Sequence, residues 1–232
     1  MTTFADRILE YIFHLDLAAP LPDGIRVMNP FRENENIYDI AQKFYRKFYS
    51  DNNKRHLVLG INPGRFGAGV TGITFTDTKH LRENCGIHIN HTETYEPSSV
   101  FIYEMIEAFG GIEKFYSRFL LSAVSPLGFT KINERGKEIN YNYYDDRKLL
   151  NSVYNFIVKN IEKHIEFGVH TDVCFCLGTG KNLDFLRKLN NKHFFFSNIK
   201  GLEHPRFVMQ YRARQKRAYI EKYLEVLNEI DT

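Results

Sequence analysis

Cysteine is scarce in this chain of 232 residues, with three in all, and no apolar run approaches the roughly 20 residues that cross a bilayer. Each absence excludes a class. Three thiols, Cys85, Cys174 and Cys176, make neither a disulfide framework nor a four-thiolate cluster. Cys174 and Cys176 stand two apart in the strand-like run VCFCLG, where they face one side and pack as small hydrophobes, so reduced thiols and no metal role are expected. Without a spanning segment, no membrane partner is expected. The opening MTTFADRILEYIFHLDL has acids among its apolar positions and no small-residue cleavage site, unlike a signal peptide. An intracellular location follows as the expectation: cytoplasmic for a bacterial chain, nuclear for a eukaryotic one. Repeats, low-complexity tracts and Pro/Gly/Ser-rich linkers are lacking too, and one domain over residues 1–232, acting as a monomer, is the simplest reading.

What is present is ordinary for a soluble globular chain, 43% hydrophobic and 25% charged. The net charge of +3 decides little, but its distribution is uneven. Arg206, Arg212, Arg214, Lys216 and Arg217 follow one another without an intervening acid, beside Tyr211 and Tyr219. Such a stretch is either a solvated helix face or a phosphate-facing patch.

Helical spacing predicts a helix through Phe4, Ile8, Ile12 and Leu15 and another through Ile37, Ala41, Phe44 and Phe48, both before a strand at about His56 to Ile61. VFIYEMIEAFGG reads as a helix capped by Ser98 or Ser99, and FLLSAV as the next strand. Ser125 to Tyr144, mixing Pro, Gly and charge, reads as a long surface loop. The longest helix is expected from Asp145 or Asp146 to about Glu166, then a strand at Thr171–Leu177, a helix at Lys181–Leu189, a strand at His193–Ile199 and a closing helix at Tyr211–Leu227. Strands alternating with helices indicate an α/β fold, with a mainly parallel central sheet covered on both faces. Ligands bind such sheets at the carboxyl ends of the strands, where Asn62 and His204 should lie.

The most informative stretch is LVLGINPGRFGAGVTGITF, Leu57 to Phe75, a buried apolar run emptying into a loop rich in Gly, Asn and Pro. Glycines there let backbone approach a ligand closely. The spacing Gly60-x-Asn62-Pro63-Gly64-x-Phe66-Gly67, then Thr71-Gly72 and Phe75, resembles the first motif of the uracil-DNA glycosylase superfamily in its single-strand-selective monofunctional (SMUG-like) branch. Gly201-Leu202-Glu203-His204-Pro205-Arg206, after a second strand-like run, resembles its His-Pro motif. Weaker likeness extends over Ser122–Leu127 and Val173–Gly178.

The resemblance implies a three-layer α/β/α sandwich, no cofactor, and damaged DNA as partner. Its activity would be extrusion of uracil, with room for other deaminated or C5-modified bases, and hydrolysis of the N-glycosidic bond. Read alone, Asn62 is a turn residue bonding its own backbone; the resemblance makes it the residue that orients the attacking water. His204 would donate a hydrogen bond to the pyrimidine oxygen nearest the sugar and so stabilise the leaving anion. Phe75, thirteen residues after Asn62, would stack on the extruded base, where composition alone suggests a core Phe; Phe66 shares that ambiguity. Gly60, Ile61, Pro63 and Gly64 complete the loop, and Gly64 leaves space at the base's C5. No lysine stands in the matched motifs to form an imine, which favours hydrolysis without strand cleavage.

Two departures stand out. The family's Asn that reads the pairing edge is matched by Ala123, so either Ser122 or Ser125 substitutes or base recognition is looser. After His204, Pro205-Arg206-Phe207 replaces the family's continuation; Arg206 is the candidate wedge, with Phe207 alongside or serving as an apolar staple with Met209, while Arg212 and Arg214 would meet phosphate. A mismatch-specific relative shares Gly-Ile-Asn-Pro-Gly but lacks the His, and a non-catalytic nucleic-acid-binding module on the same fold is the alternative from another class. Gly178-Thr179-Gly180-Lys181 lacks the remaining P-loop residues, and His91-Thr92-Glu93 lacks a zinc deaminase's Pro-Cys-x-x-Cys.

Overall fold

The computed structural model describes residues 2–89 and 93–231; His91 and Thr92 of the deaminase-like triplet lie outside them. Chain order begins with α1 (Phe4–Phe13), β1 (Ile25–Met28), α2 (Pro30–Glu33), α3 (Glu35–Phe48) and β2 (His56–Gly60). Three helices follow the loop, α4 (Ala68–Thr71), α5 (Thr78–Glu83) and α6 (Pro97–Phe109), then α7 (Ile112–Arg118) and β3 (Phe119–Ala123). The remainder comprises β4 (Gly128–Ile132), β5 (Glu138–Tyr141), α8 (Arg147–Phe167), β6 (Val173–Leu177), α9 (Lys181–His193), β7 (Asn198–Leu202), α10 (Pro205–Tyr211) and α11 (Lys216–Asn228).

Local chemistry fixes several of these ends. Thr3 and Asp6 close a reciprocal capping box at α1. The Asp146 side chain accepts from the Lys148 and Leu149 N–H groups to start α8, and Gly168, at φ 97°, ends it in the left-handed conformation. The cap of α6 is Glu96 instead of a serine, because Pro97 occupies the first helical position, where its missing N–H costs nothing; Ser98 and Ser99 are buried in the first turn.

Strands β3-β2-β6-β7, in that order, form a four-stranded sheet whose neighbours all run parallel. β2 and β6 are buried at every residue, as a sheet covered on both faces requires. Cys174 and Cys176 are free and buried in β6, and desolvation pushes the Cys176 thiol up to about 12. A buried apolar cluster extends from Phe4 to Leu227, with α1 packed on α3 and α8, and α6 packed on α10 and α11. Among the described residues no helix is long and apolar enough to cross a membrane.

The stretch Ser125–Tyr144 is corrected from surface loop to structure. β4 and β5 form a hairpin that joins β1, itself absent from the sequence reading, in a second, antiparallel sheet of order β1-β4-β5. The closing helix starts later than expected, at Lys216: an additional helix, α10, ends at Tyr211, and a 3-10 turn over Ala213–Gln215 leads into α11. The last strand lies later than expected, because the His193–Phe196 stretch finishes α9 and turns before pairing begins at Asn198.

Candidate active site

Asn62 follows β2 and His204 follows β7, and both line one cavity of about 250 Å³ at the carboxyl ends of the parallel strands. Gly60, Ile61, Pro63, Gly64, Phe75 and Ala123 line it as well. The first motif and the His-Pro motif, 142 positions apart, thus meet around one space because their strands belong to one sheet.

Asn62 is held on both sides of its amide. Its Oδ1 accepts the backbone N–H of Tyr143 at 3.1 Å, and its Nδ2 donates to the carbonyls of Pro63 and Tyr141, each at 3.3 Å. The backbone leaving β5 therefore fixes which amide atom faces which way, and Oδ1 retains a second lone pair for a water. Behind it, the Tyr143 hydroxyl donates to Asn182 Oδ1 at 2.7 Å, while Asn182 Nδ2 donates to the Leu177 carbonyl at 3.1 Å. Asn182 is 1% exposed and ties this network to the end of β6.

His204 is the N-cap of α10, and its Nδ1 accepts the backbone N–H of Arg206 at 3.1 Å. An acceptor at Nδ1 puts the neutral ring's proton on Nε2. Burial, and then the Arg206 charge, pushes the imidazole down to about 4, so it is neutral near pH 7. Phe75 lies beside it, ring centroids 5.7 Å apart and planes at 54°. Phe75 adopts φ 56°, an uncommon conformation for an aromatic residue, and its ring edge lies over Gly60, where a Cβ would come within 2.8 Å. The ring reaches the strand end because Gly60 has no side chain.

The far wall comes from elements that sequence reasoning did not connect with the site. Asn140 and Asn142, at the end of the β4–β5 hairpin, line the cavity, as do Glu96 and Ser98 at the start of α6. Asn140 Oδ1 accepts the Arg65 N–H at 3.1 Å. A side chain at Gly64 would have Asn140 Nδ2 and Glu96 Oε1 as neighbours, each at 3.6 Å, so the space over Gly64 is open and polar-walled. Burial, and secondarily the Asp77 carboxylate, pushes Glu96 up to about 7. Asp77 goes the other way: against its burial, the His80 side chain and the N–H groups of His80 and Glu96 hold it below the ordinary carboxylate range.

Other expected residues lie elsewhere. Ser122 lines a small cavity of about 50 Å³ with Ile8 and Tyr11, and Ser125 is buried with its hydroxyl donating to the Leu127 carbonyl at 2.9 Å. Neither lines the Asn62–His204 cavity, whereas Asn140 and Asn142 of the hairpin do; Ala123 lies between that cavity and the small one. Phe66 is 55% exposed and outside this cavity. Arg206 and Phe207 line the mouth, Pro205 is buried beneath them, and Arg212 lies over the Phe207 ring at 5.8 Å. Arg214 is exposed on the 3-10 turn beyond. Phe207 is exposed while Met209 packs against the core, so only Met209 is in a position to staple.

Among the described residues, His56, His170 and Asp172 place possible ligand atoms within 4.8 Å of one another, at the opposite end of the parallel sheet. The two imidazoles are stacked at 4.2 Å and 10°, so their lone pairs lie in separate, nearly parallel planes and do not converge on one ion.

The profile of the uracil DNA glycosylase superfamily matches residues 46–228. The crystal structure of wild-type Pedobacter heparinus SMUG2 is similar along its whole length, with a TM-score of 0.97 and 52% sequence identity over 100% of this chain and 99% of that one. No curated protein matches. With both motifs gathered at one cavity, a family profile spanning most of the chain and a SMUG2 neighbour sharing half its residues, the chain belongs to the uracil DNA glycosylase superfamily, in its SMUG-like branch.

Proposed function

We propose that this protein is a monofunctional DNA glycosylase that draws uracil out of the strand into the Asn62–His204 cavity and hydrolyses its N-glycosidic bond. The observation that carries this reading is the pairing, around one space, of a fixed amide with an imidazole whose Nδ1 accepts a backbone N–H. Hydrolysis needs a water held against the anomeric carbon and a donor for the charge that develops on the departing base. Asn62 Oδ1 supplies the first by orientation, since an amide is too weak a base to remove a proton unaided. His204 Nε2–H supplies the second, at the pyrimidine oxygen nearest the sugar. A neutral donor suits that role, because it stabilises the leaving anion without having to give up a proton.

Phe75 would stack on the base, and Phe207, exposed at the mouth, would fill the gap left in the strand, with Arg206 beside it facing the backbone. The Ala123 methyl offers the pairing edge no hydrogen bond, and Asn140 and Asn142, with Glu96 and Ser98, bring polar groups to the same cavity. Asn140, whose Oδ1 is taken by the Arg65 N–H, presents its Nδ2 as a donor, while the Asn142 amide can donate or accept, and an edge met in part by such an adaptable group is read less strictly than by one fixed residue, which supports action on further deaminated bases. The space over Gly64 supports tolerance of a polar C5 substituent such as hydroxymethyl.

The test uses labelled oligonucleotides carrying uracil, single-stranded and paired, followed by alkali to reveal abasic sites. Alkali-dependent cleavage is expected. Strand cleavage without alkali would contradict the monofunctional reading, and binding without base release would favour the non-catalytic module.

A further inference from the structure

A second cavity of about 380 Å³ adjoins the first. Phe66, Tyr95, Pro97 and Met209 form its own walls, and it shares Glu96, Ser98, Asn140, Arg206 and Gln210 with the Asn62–His204 cavity. Phe66 is 55% exposed and Tyr95 60%, and they are joined at the mouth of the first cavity by Phe207 at 40% and Tyr211 at 61%. Half of the large apolar side chains exposed among the described residues are therefore collected around these two spaces. Exposed rings scattered singly need no explanation, but rings gathered at one place mark a surface that is covered in use. The Arg65 guanidinium lies 5.0 Å from the centre of the Phe66 ring, and Arg206 stands on the partition between the cavities.

We propose that the second cavity binds the nucleobase adjacent to the extruded one on the same strand, stacked on Phe66 or Tyr95, with the connecting phosphate at Arg206. This rests on the reading of the first cavity as the uracil site. One phosphodiester tethers successive bases, so the neighbour of a base held between Asn62 and His204 must lie close by, and this is the aromatic space within reach. Stacking on a ring is indifferent to sequence, because every base presents a π-face. The second site therefore adds hold on the strand without adding a requirement for a particular neighbour.

The test removes the flanking base from the DNA and the rings from the protein. Single-stranded oligonucleotides with one uracil are made with the 5′ or 3′ neighbour replaced by a base-free tetrahydrofuran spacer. They are assayed for uracil release, and for binding by fluorescence anisotropy, with wild type, Phe66→Ala, Tyr95→Ala and Tyr95→Phe. With wild type, one of the two spacers is expected to lower kcat/KM about tenfold, within the range of base–aromatic stacking. Phe66→Ala or Tyr95→Ala should show a similar loss on the natural strand and little further loss with that spacer, while Tyr95→Phe behaves as wild type. Both positions are exposed, so folding should be intact, and circular dichroism checks it.

Full wild-type activity with both spacers, or losses from spacer and variant that multiply independently, would overturn the proposal. If wild type released no uracil from any strand, the reading of the first cavity would fail instead, and anisotropy would still measure whether neighbour and ring are coupled.

Discussion

The side-chain Oδ1 of Asn62 accepts the backbone N–H of Tyr143 at 3.1 Å, across 81 positions of sequence. The residue proposed to hold water is oriented by the stretch between β5 and α8, and that stretch is anchored in turn by the Tyr143 hydroxyl on the buried Asn182 at 2.7 Å. Tyr143→Phe leaves Asn182 Oδ1 short of its donor. It is expected to lower stability by about 1–3 kcal/mol, seen as a lower urea midpoint, and to lower kcat more than it raises KM, because Asn62 is loosened while the base-binding walls stay in place. An unchanged kcat would show that Asn62 is positioned without this network.

Gly60→Ala tests the close approach of Phe75. A Cβ there would come within 2.8 Å of the ring, which is held against the strand end by buried surroundings. Overpacking of this kind costs about 1–3 kcal/mol. Displacing the ring into the cavity should also raise KM for uracil-containing strands severalfold. Urea unfolding and steady-state kinetics on the same variant check both.

Glu96 makes stability depend on pH in a direction opposite to most carboxylates. Its folded pKa, about 7, lies above the ordinary value of 4.5, so between these the folded protein holds a proton that the unfolded chain has released. Stability from this group is therefore fully present below pH 4.5 and is lost as pH rises through 7. Glu96→Gln cannot ionise, and its melting temperature relative to wild type should rise from pH 5 to pH 8. A difference independent of pH would mean that Glu96 is already ionised at pH 5.

His204 titrates near 4, so its neutral Nε2–H donor persists across the physiological range. The profile of kcat/KM against pH should show no inflection near 6.5, the ordinary histidine value. Any inflection near 7 is assigned to Glu96 and should vanish in Glu96→Gln. An acid limb near 6.5 that disappears in His204→Ala would contradict the assigned protonation state.

The two motif residues were legible because each sits where an apolar strand run stops at Gly, Asn, Pro or His, and parallel sheets gather such ends. Asn182 and the far wall were not. The β4–β5 hairpin offers only short alternating runs, Phe129-Thr130-Lys131-Ile132 and Glu138-Ile139-Asn140-Tyr141, around an Asn133–Gly136 turn, and a Pro and a Gly ahead of it read as loop. That Asn-x-x-Gly turn between alternating runs was the usable signal. Nothing local to Asn140 or Glu96 says that each will face Gly64; that is settled by how the small antiparallel sheet and α6 pack against the loop. Ser122 and Ser125 lie outside the cavity for a related reason: sequence proximity to Ala123 says nothing about which face of the sheet, or which turn, holds the hydroxyl.

The most direct test of the central claim is single-turnover release of uracil from a single-stranded oligonucleotide by wild type, Asn62→Ala and His204→Ala, with folding checked by circular dichroism. Wild type should release uracil and leave an alkali-labile site, Asn62→Ala should release essentially none, and His204→Ala should be slower by about a hundredfold or more, as for loss of a single donor to a developing anion. Uracil release that survives Asn62→Ala at the wild-type rate would contradict the account.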